Sequence, residues 1–365
     1  MSPHKFYKHL LASLPLFSLL ATLFVDLCHS QTVAKLCNHN DENTLLQIKS
    51  FWGNPPSLGY WDPNQDCCQW DLIQCNEQGR VITLRVSLSN DVHGPIPPFL
   101  DRLPSLDRLH FDNMYNLSGP IPQSIGKLTN LTAIVILGTN IGGPIPNFLG
   151  RLTNLVELNL ASNKHTGPIP DFLGRLKSLT SLDLGDNQLT GHIPYSLTRL
   201  SNLSSLTLTL NKLSGSIPEF PPQKMSGLQF LGLNFNRFSG SIPRSLGRLP
   251  SLGALYLDHN KLTGDASYLF NKNNTVNKYI SIGYNNLKFD LSKLDLPRLW
   301  GFEISHNLIY GSLPLSFGFL DPETVNVSYN RLCGPIPNGR RFKRANPDIF
   351  AHNKCLCGGP LPACK

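Results

Sequence analysis

Aligned on itself, the chain repeats with a period of 24 residues, occasionally 25, and the unit reads L-x-x-L-x-L-x-x-N-x-L-x-G-x-I-P. The clearest copies are Leu155-Leu158-Leu160-Asn163-Gly167-Ile169-Pro170, Leu179-Leu182-Leu184-Asn187-Leu189-Gly191-Ile193-Pro194 and Leu203-Leu206-Leu208-Asn211-Leu213-Gly215-Ile217-Pro218. Further copies centre on Asn236, Asn260, Asn285, Asn307 and Asn330, with looser ones at Asn90, Tyr115 and Thr139, so that about eleven are present. A unit this short cannot bury its own apolar edge. The only economical fold is a stack in which each coil covers the next, and that demands closed ends.

Each slot of the unit has a physical task. In the x-x-L-x-L-x-x segment strand alternation turns both Leu inward, which leaves the five x positions facing out. Stacking makes these short strands one parallel sheet, and the Asn amide can satisfy backbone groups of neighbouring coils that burial would leave unpaired. Gly-x-Ile-Pro turns the chain into a second extended segment. The expected fold is a leucine-rich-repeat solenoid, an α/β right-handed superhelix with a parallel sheet on its concave face. High Gly and Pro, 29 each, and only 15% charged residues suit such short elements and tight turns.

The two ends differ from the array. Residues 1–30 read as a signal peptide: Lys5 and Lys8 precede an apolar run from Leu10 to Val25, and Cys28-His29-Ser30 places small residues before Gln31. Ser13, Pro15, Ser18 and Thr22 interrupt that run, which argues against a spanning helix of roughly 20 apolar residues. Cleavage after Ser30 turns nine cysteines into eight, in two clusters: Cys37, Cys67, Cys68 and Cys75, then Cys333, Cys355, Cys357 and Cys364. An exported chain with even parity and no Cys-x-x-Cys pair favours disulfides over zinc, and four cysteines allow three pairings at each end. Residues 31–80 read as an N-terminal cap, with Asp41–Trp52 an amphipathic helix facing inward through Leu45, Leu46, Ile48 and Phe51. Residues 81–332 are the repeats and 333–365 a C-terminal cap.

The formal charge of +8 falls to +7 once the leader takes Lys5, Lys8 and Asp26 with it. For an exported protein this points to acidic extracellular polymers and acidic protein surfaces, not to nucleic acid. No nucleophile elbow, zincin helix, phosphate loop or dinucleotide fingerprint occurs, and no cofactor or metal is implied. Asp183 with Asp186, or either with His259, offers an acid and a base only on a flat exposed sheet, which lacks the pocket that shifts a pKa.

The Gly-x-Ile-Pro variant is similar to that of extracellular plant repeat proteins. Leu36-Cys37-Asn38, Asp66-Cys67-Cys68, Gly264 to Phe270, Phe289-Asp290-Leu291, Asn326-Val327-Ser328-Tyr329-Asn330 and Asn353-Lys354-Cys355-Leu356-Cys357-Gly358 through Leu361-Pro362-Ala363-Cys364 resemble the polygalacturonase-inhibiting proteins, including their irregular coil at Asp265 to Phe270. The resemblance covers the whole mature chain. It implies a secreted plant cell-wall protein whose concave sheet docks on a fungal endo-polygalacturonase. Together with short loop closure, it implies the pairs Cys37–Cys67, Cys68–Cys75, Cys333–Cys355 and Cys357–Cys364. One carrot member binds ice, so an ice-binding solenoid is a rival reading, as is a kinase-free receptor-like or peptide-binding protein.

The register places Asp183, Asp186, Thr207, Gln229, Phe230, Asn234, Tyr256, Asp258, His259, Lys278 and Tyr279 on the concave face, with Tyr284, Glu303 and His306 beyond them. Aromatic side chains there fit the anchors of a protein interface. Sequons stand at Asn116, Asn130, Asn202, Asn273 and Asn326, and a glycan on Asn326 would confine a partner to the earlier coils. Four residues before the first apolar position of eight successive coils, Leu in all but the last, come Arg102, Lys127, Arg151, Arg175, Arg199, Lys224, Arg248 and Lys272. Stacking lines these cations up about 4.8 Å apart. Such a row suits a polyanion, and de-esterified pectin is one.

Overall fold

The computed structural model describes residues 36–270, 278–296, 299–321, 324–337 and 342–364. The leader, Lys272 and Asn273 lie outside these residues. From Cys37 onward the chain is one compact unit. Its spine is a twelve-stranded sheet in which each strand pairs with that of the next coil in chain order; only the first pair, Ile73–Cys75 with Val81–Ser87, is antiparallel. The register follows the leucines. Leu158, Leu182, Leu206, Leu231, Leu255, Ile280, Phe302 and Val325 are successive partners, and all are buried.

Most strands in the middle of the array are only three residues long, as in Ser181–Asp183. The recurring Asn slot takes over where they end. The Asn187 amide donates to the carbonyls of Leu160 in the preceding coil (2.9 Å) and of Leu184 (3.2 Å) and Gly185 (3.0 Å) in its own, while its oxygen accepts from the His165 N–H at 2.9 Å. Asn211, Asn236, Asn260, Asn285, Asn307 and Asn330 repeat this set. Each removes the cost of burying unpaired peptide groups where the chain bends. The repeat glycine then sits at positive φ (Gly191, 78°), a conformation that only glycine reaches freely. Its Ile is buried, and the following Pro leads into a short 3-10 turn such as Asp171–Arg175 on the far side. The irregular coil keeps this plan with Ala266, fully buried, in the Ile place.

The caps close both ends. The helix runs His39–Phe51, beginning two residues earlier than the pattern suggests because Asn38 caps it, its side chain accepting from the Asn40 N–H. Leu45 and Ile48 are fully buried, but Phe51 stays 42% exposed and meets Phe99 edge-on at 5.9 Å. Sequence reasoning missed the helix's anchor, the fully buried Asp41. It takes two hydrogen bonds from the Arg80 guanidinium, each 2.9 Å, and one from the Val81 N–H. Trp61 stacks on Trp70 at 5.7 Å. Disulfides join Cys37 to Cys67, Cys68 to Cys75, Cys333 to Cys355 and Cys357 to Cys364. The C-terminal segment is a shortened coil and not a separate lid: Cys355–Cys357 pairs parallel with Arg331–Pro335, and Asn353 fills the Asn slot, donating to Val327 and Phe350 and accepting from Leu332.

Candidate protein-binding surface

The register sorts the outward positions of the sheet into rows. The first holds Glu157, Ser181, Ser205, Phe230, Ala254, Tyr279 and Gly301; the second holds Asn159, Asp183, Thr207, Gly232, Tyr256, Ser281, Glu303 and Asn326. Glycine opposite a ring is what lets the rings lie down. A side chain on Gly301 would run into the Tyr279 ring, and one on Gly232 would meet Phe230 and Thr209 at 3.0 Å. The result is a half-buried aromatic patch across three coils, with Phe230 and Tyr256 centroids 5.4 Å apart and Tyr256 stacked on Tyr279 at 5.0 Å.

The polar groups around this patch are held, not loose. Asp258, 8% exposed, accepts from Ser281 Oγ at 2.8 Å and contacts His259 Nδ1 at 3.0 Å. Thr209 Oγ donates to Asn234 at 2.7 Å. Asp183 and Glu303 each turn an oxygen onto the backbone N–H two residues on, Gly185 at 2.9 Å and Ser305 at 2.8 Å. Burial nevertheless pushes both carboxyls above the usual range. This corrects the expectation of a flat sheet that shifts no pKa: neighbouring coils shield these side chains even without a pocket. Burial, then Tyr256, Glu303 and Asp258 in that order, also raises the Tyr279 hydroxyl.

A second correction concerns Asp186, His259, Tyr284 and His306. They are not in the sheet but on its edge, just before each Asn, in the left-handed region with φ near 50°. Strand alternation stops applying once each short strand has ended. Along this edge six rings stack in unbroken sequence: Phe235, His259, Tyr284, His306, Tyr329 and His352, with centroids 4.0 to 4.1 Å apart. Asp186 belongs to this edge and is exposed, whereas Asp183 is half-buried in the sheet, so the two do not form one acidic pair. Gln229 precedes its strand and is exposed. The backbone of Lys278 opens the strand Lys278–Ser281.

With this geometry the comparisons can be weighed. Residues 38–76 match the leucine rich repeat N-terminal domain, and residues 153–213 and 227–249 match leucine rich repeat families. The chain is 47% identical over 346 residues to polygalacturonase inhibitor 1 of Arabidopsis thaliana, covering 94% of this chain and 96% of that protein. The chain belongs to the polygalacturonase-inhibitor family. The inhibitor of Pyrus communis is 41% identical over 94% of this chain and 97% of its own length. Among solved structures, a plant ice-binding protein superposes with a TM-score of 0.72 at 35% identity, covering 90% of this chain and 98% of that one.

In this member of the family most of the convex cations end a 3-10 turn, and Lys224 lies in a plain turn. Arg102, Lys127, Arg151, Arg175, Arg199, Lys224 and Arg248 are all exposed. The first rungs are partnered: Arg102 donates to Gln47 at 2.7 Å and lies over Phe99, and Lys127 meets Asp101 at 2.8 Å. Arg199 lies 5.2 Å over the Tyr195 ring. Among the described residues Arg151 and Arg175 have no ion-pair partner. The sequons Asn116, Asn130 and Asn202 are exposed, each amide donating to a carbonyl of the preceding coil at 2.7 to 3.1 Å. Asn326 is half-buried on the sheet, accepting from Ser328 Oγ at 2.8 Å. No helix among the described residues is long and apolar enough to cross a membrane.

Proposed function

We propose that this protein is secreted into the plant cell wall and inhibits fungal endo-polygalacturonase by covering the enzyme with its concave sheet. The observation that carries the reading is identity near half, over nearly the full length, to a protein named polygalacturonase inhibitor 1. The patch of Phe230, Tyr256 and Tyr279 supports the choice of face, because half-buried rings among fixed polar groups are what protein interfaces use as anchors. Gln229, Asn234 and Asp258 belong to the same coils, Lys278 opens the strand that carries Tyr279, and Asp183 with Thr207 extends the face toward the middle coils. A glycan on Asn326 would confine contact on the sheet face to the coils before it. The protein acts as a ligand of an enzyme and performs no catalysis itself. The experiment is inhibition of a panel of purified fungal endo-polygalacturonases.

The exposed arginines of the convex row, of which Arg151 and Arg175 have no ion-pair partner among the described residues, support a second role, retention on de-esterified pectin through Arg151, Arg175 and Arg199, with Arg102, Lys127, Lys224, Arg248 and, by sequence register, Lys272 extending the row. Ice binding is the weaker rival despite the solved neighbour. It needs a regular array of Thr or Asn, and Thr207 pairs across the sheet with Asp183 on one side and Gly232 on the other.

A further inference from the structure

The ring stack on the edge of the sheet is not something the repeat requires. In earlier coils the same left-handed position holds Asn113, Gly138, Ser162, Asp186 and Leu210, at φ between 49° and 63°. Asn, Asp and Gly reach that conformation at little cost, whereas a bulky side chain pays more. From Phe235 onward a ring accepts it in six successive coils, and every second ring is a histidine. Phe235, Tyr284 and Tyr329 remain 41%, 45% and 44% exposed while doing so. The choice therefore serves the surface and not the fold.

Inside the stack each ring covers its neighbours' faces, with planes 13° to 21° apart, so His259, Tyr284, His306 and Tyr329 present only edges to solvent. An aliphatic or sugar ring that stacks on an open aromatic face finds none along the ridge. What the edges offer is phenol O–H and imidazole N–H groups, in a line. Two residues further along the same coils stand Arg237, Lys261, Arg331 and Lys354, all exposed, with Asn286 and Leu308 in the coils between. The carboxylate at hand is Asp258, bound to His259 Nδ1 and already accepting from Ser281. The nearby Glu303 is turned onto Ser305. His306 faces the rings of Tyr284 and Tyr329, and beyond them the imidazoles of His259 and His352.

We propose that this ridge is a docking surface for an acidic protein face, engaged as its histidines take up protons. Burial first, then repulsion from His259 and His352, holds the His306 pKa below the usual imidazole value. In the free protein it is neutral near pH 7 and charges only on acidification. A carboxylate seated on the edge favours the charged form, so binding draws in protons and strengthens as pH falls. An imidazolium between two phenol faces is a cation–π sandwich, which keeps the stack together when charged. The inference rests on the inhibitor reading only for the partner's identity, an endo-polygalacturonase.

The test compares the mature chain with a variant carrying His259→Phe, His306→Phe and His352→Phe, which keeps a ring at every position and removes every imidazole from the ridge. Both are checked by melting and then bound to immobilised poly-L-glutamate, to polygalacturonate, and to a fungal endo-polygalacturonase, at pH 7.5 and 5.5. The expected result is poly-glutamate affinity about tenfold or more higher at pH 5.5 for the wild type, since each proton taken up allows up to tenfold per pH unit. The variant should bind alike at both pH values, and the enzyme should show the same contrast. Should the triple variant misfold, His306→Phe alone is expected to lose roughly a third to a half of the response on a logarithmic scale. A wild type indifferent to pH, or a variant that keeps the full response, overturns the proposal. So does a histidine-dependent response confined to polygalacturonate, which makes the occupant a polysaccharide. If no enzyme binds while the poly-glutamate contrast holds, the ridge stands and the inhibitor reading falls.

Discussion

The side-chain amide of Asn285 donates to the Leu257 carbonyl of the preceding coil at 3.0 Å, while its oxygen accepts at 2.9 Å from the N–H of Leu262 in that same coil. One buried side chain thus stitches two coils at the point where the sheet ends, and it also satisfies Ile282 and Gly283 in its own coil. Asn285→Ala leaves several buried peptide groups without partners. The expected cost is about 3 kcal/mol, read as a lower midpoint in urea or heat with the same disulfides. A loss below about 0.5 kcal/mol would mean that water replaces the amide and that the slot is not what holds the coils.

His165 occupies the buried slot that neighbouring coils fill with Ile141 and Leu189, and is itself 1% exposed. Its Nδ1 reaches the Gly143 carbonyl at 3.2 Å, and its Nε2 is buried without a partner among the described residues. Burial lowers its pKa from 6.5 in the fold. The unfolded chain therefore binds a proton first, so stability falls as pH drops below about 6.5 and goes on falling until the folded-state pKa is reached. His165→Leu should raise the melting temperature at pH 7.5 slightly and at pH 5 more. Equal gains at both pH values would show that burial does not lower the imidazole pKa below its unfolded value.

Much of this was legible in the residues. The leucine register and the Asn slot follow from periodicity, because one physical requirement recurs in every coil, and the two cysteine clusters stand out because the array between them has none. The edge ladder was not, since strands of three and four residues end before the positions that carry His259 and Tyr284, and their left-handed backbone comes from the bend and not from alternation. Nor was the tying of Asp183 to Gly185 or of Lys127 to Asp101, which depends on which neighbour a side chain meets once the coils have stacked. Two features could have been seen. His165 stands out as soon as the copies are aligned, and Ala351-His352-Asn353-Lys354 carries the Asn slot into the last segment.

The convex row makes its own prediction. Changing Arg151, Arg175 and Arg199 together to Gln should lower the salt concentration at which the protein elutes from a polygalacturonate column, since exposed charges act through a field that salt screens within about 8 Å. Folding should not change, because exposed positions seldom cost more than about 0.5 kcal/mol. Elution at the wild-type salt by a folded triple variant would remove pectin from the functions of this row.

The central claim is that the concave sheet inhibits an endo-polygalacturonase. The direct measurement is the inhibition constant against a fungal enzyme for three folded chains: the wild type, Tyr256→Ala, and the convex triple variant. Tyr256 lies at the middle of the aromatic patch, between Phe230 and Tyr279. Its truncation should weaken inhibition roughly tenfold or more, as loss of a central anchor does, while the convex variant inhibits as the wild type does. Undiminished inhibition by Tyr256→Ala together with loss in the convex variant would place the enzyme on the opposite face and contradict the account.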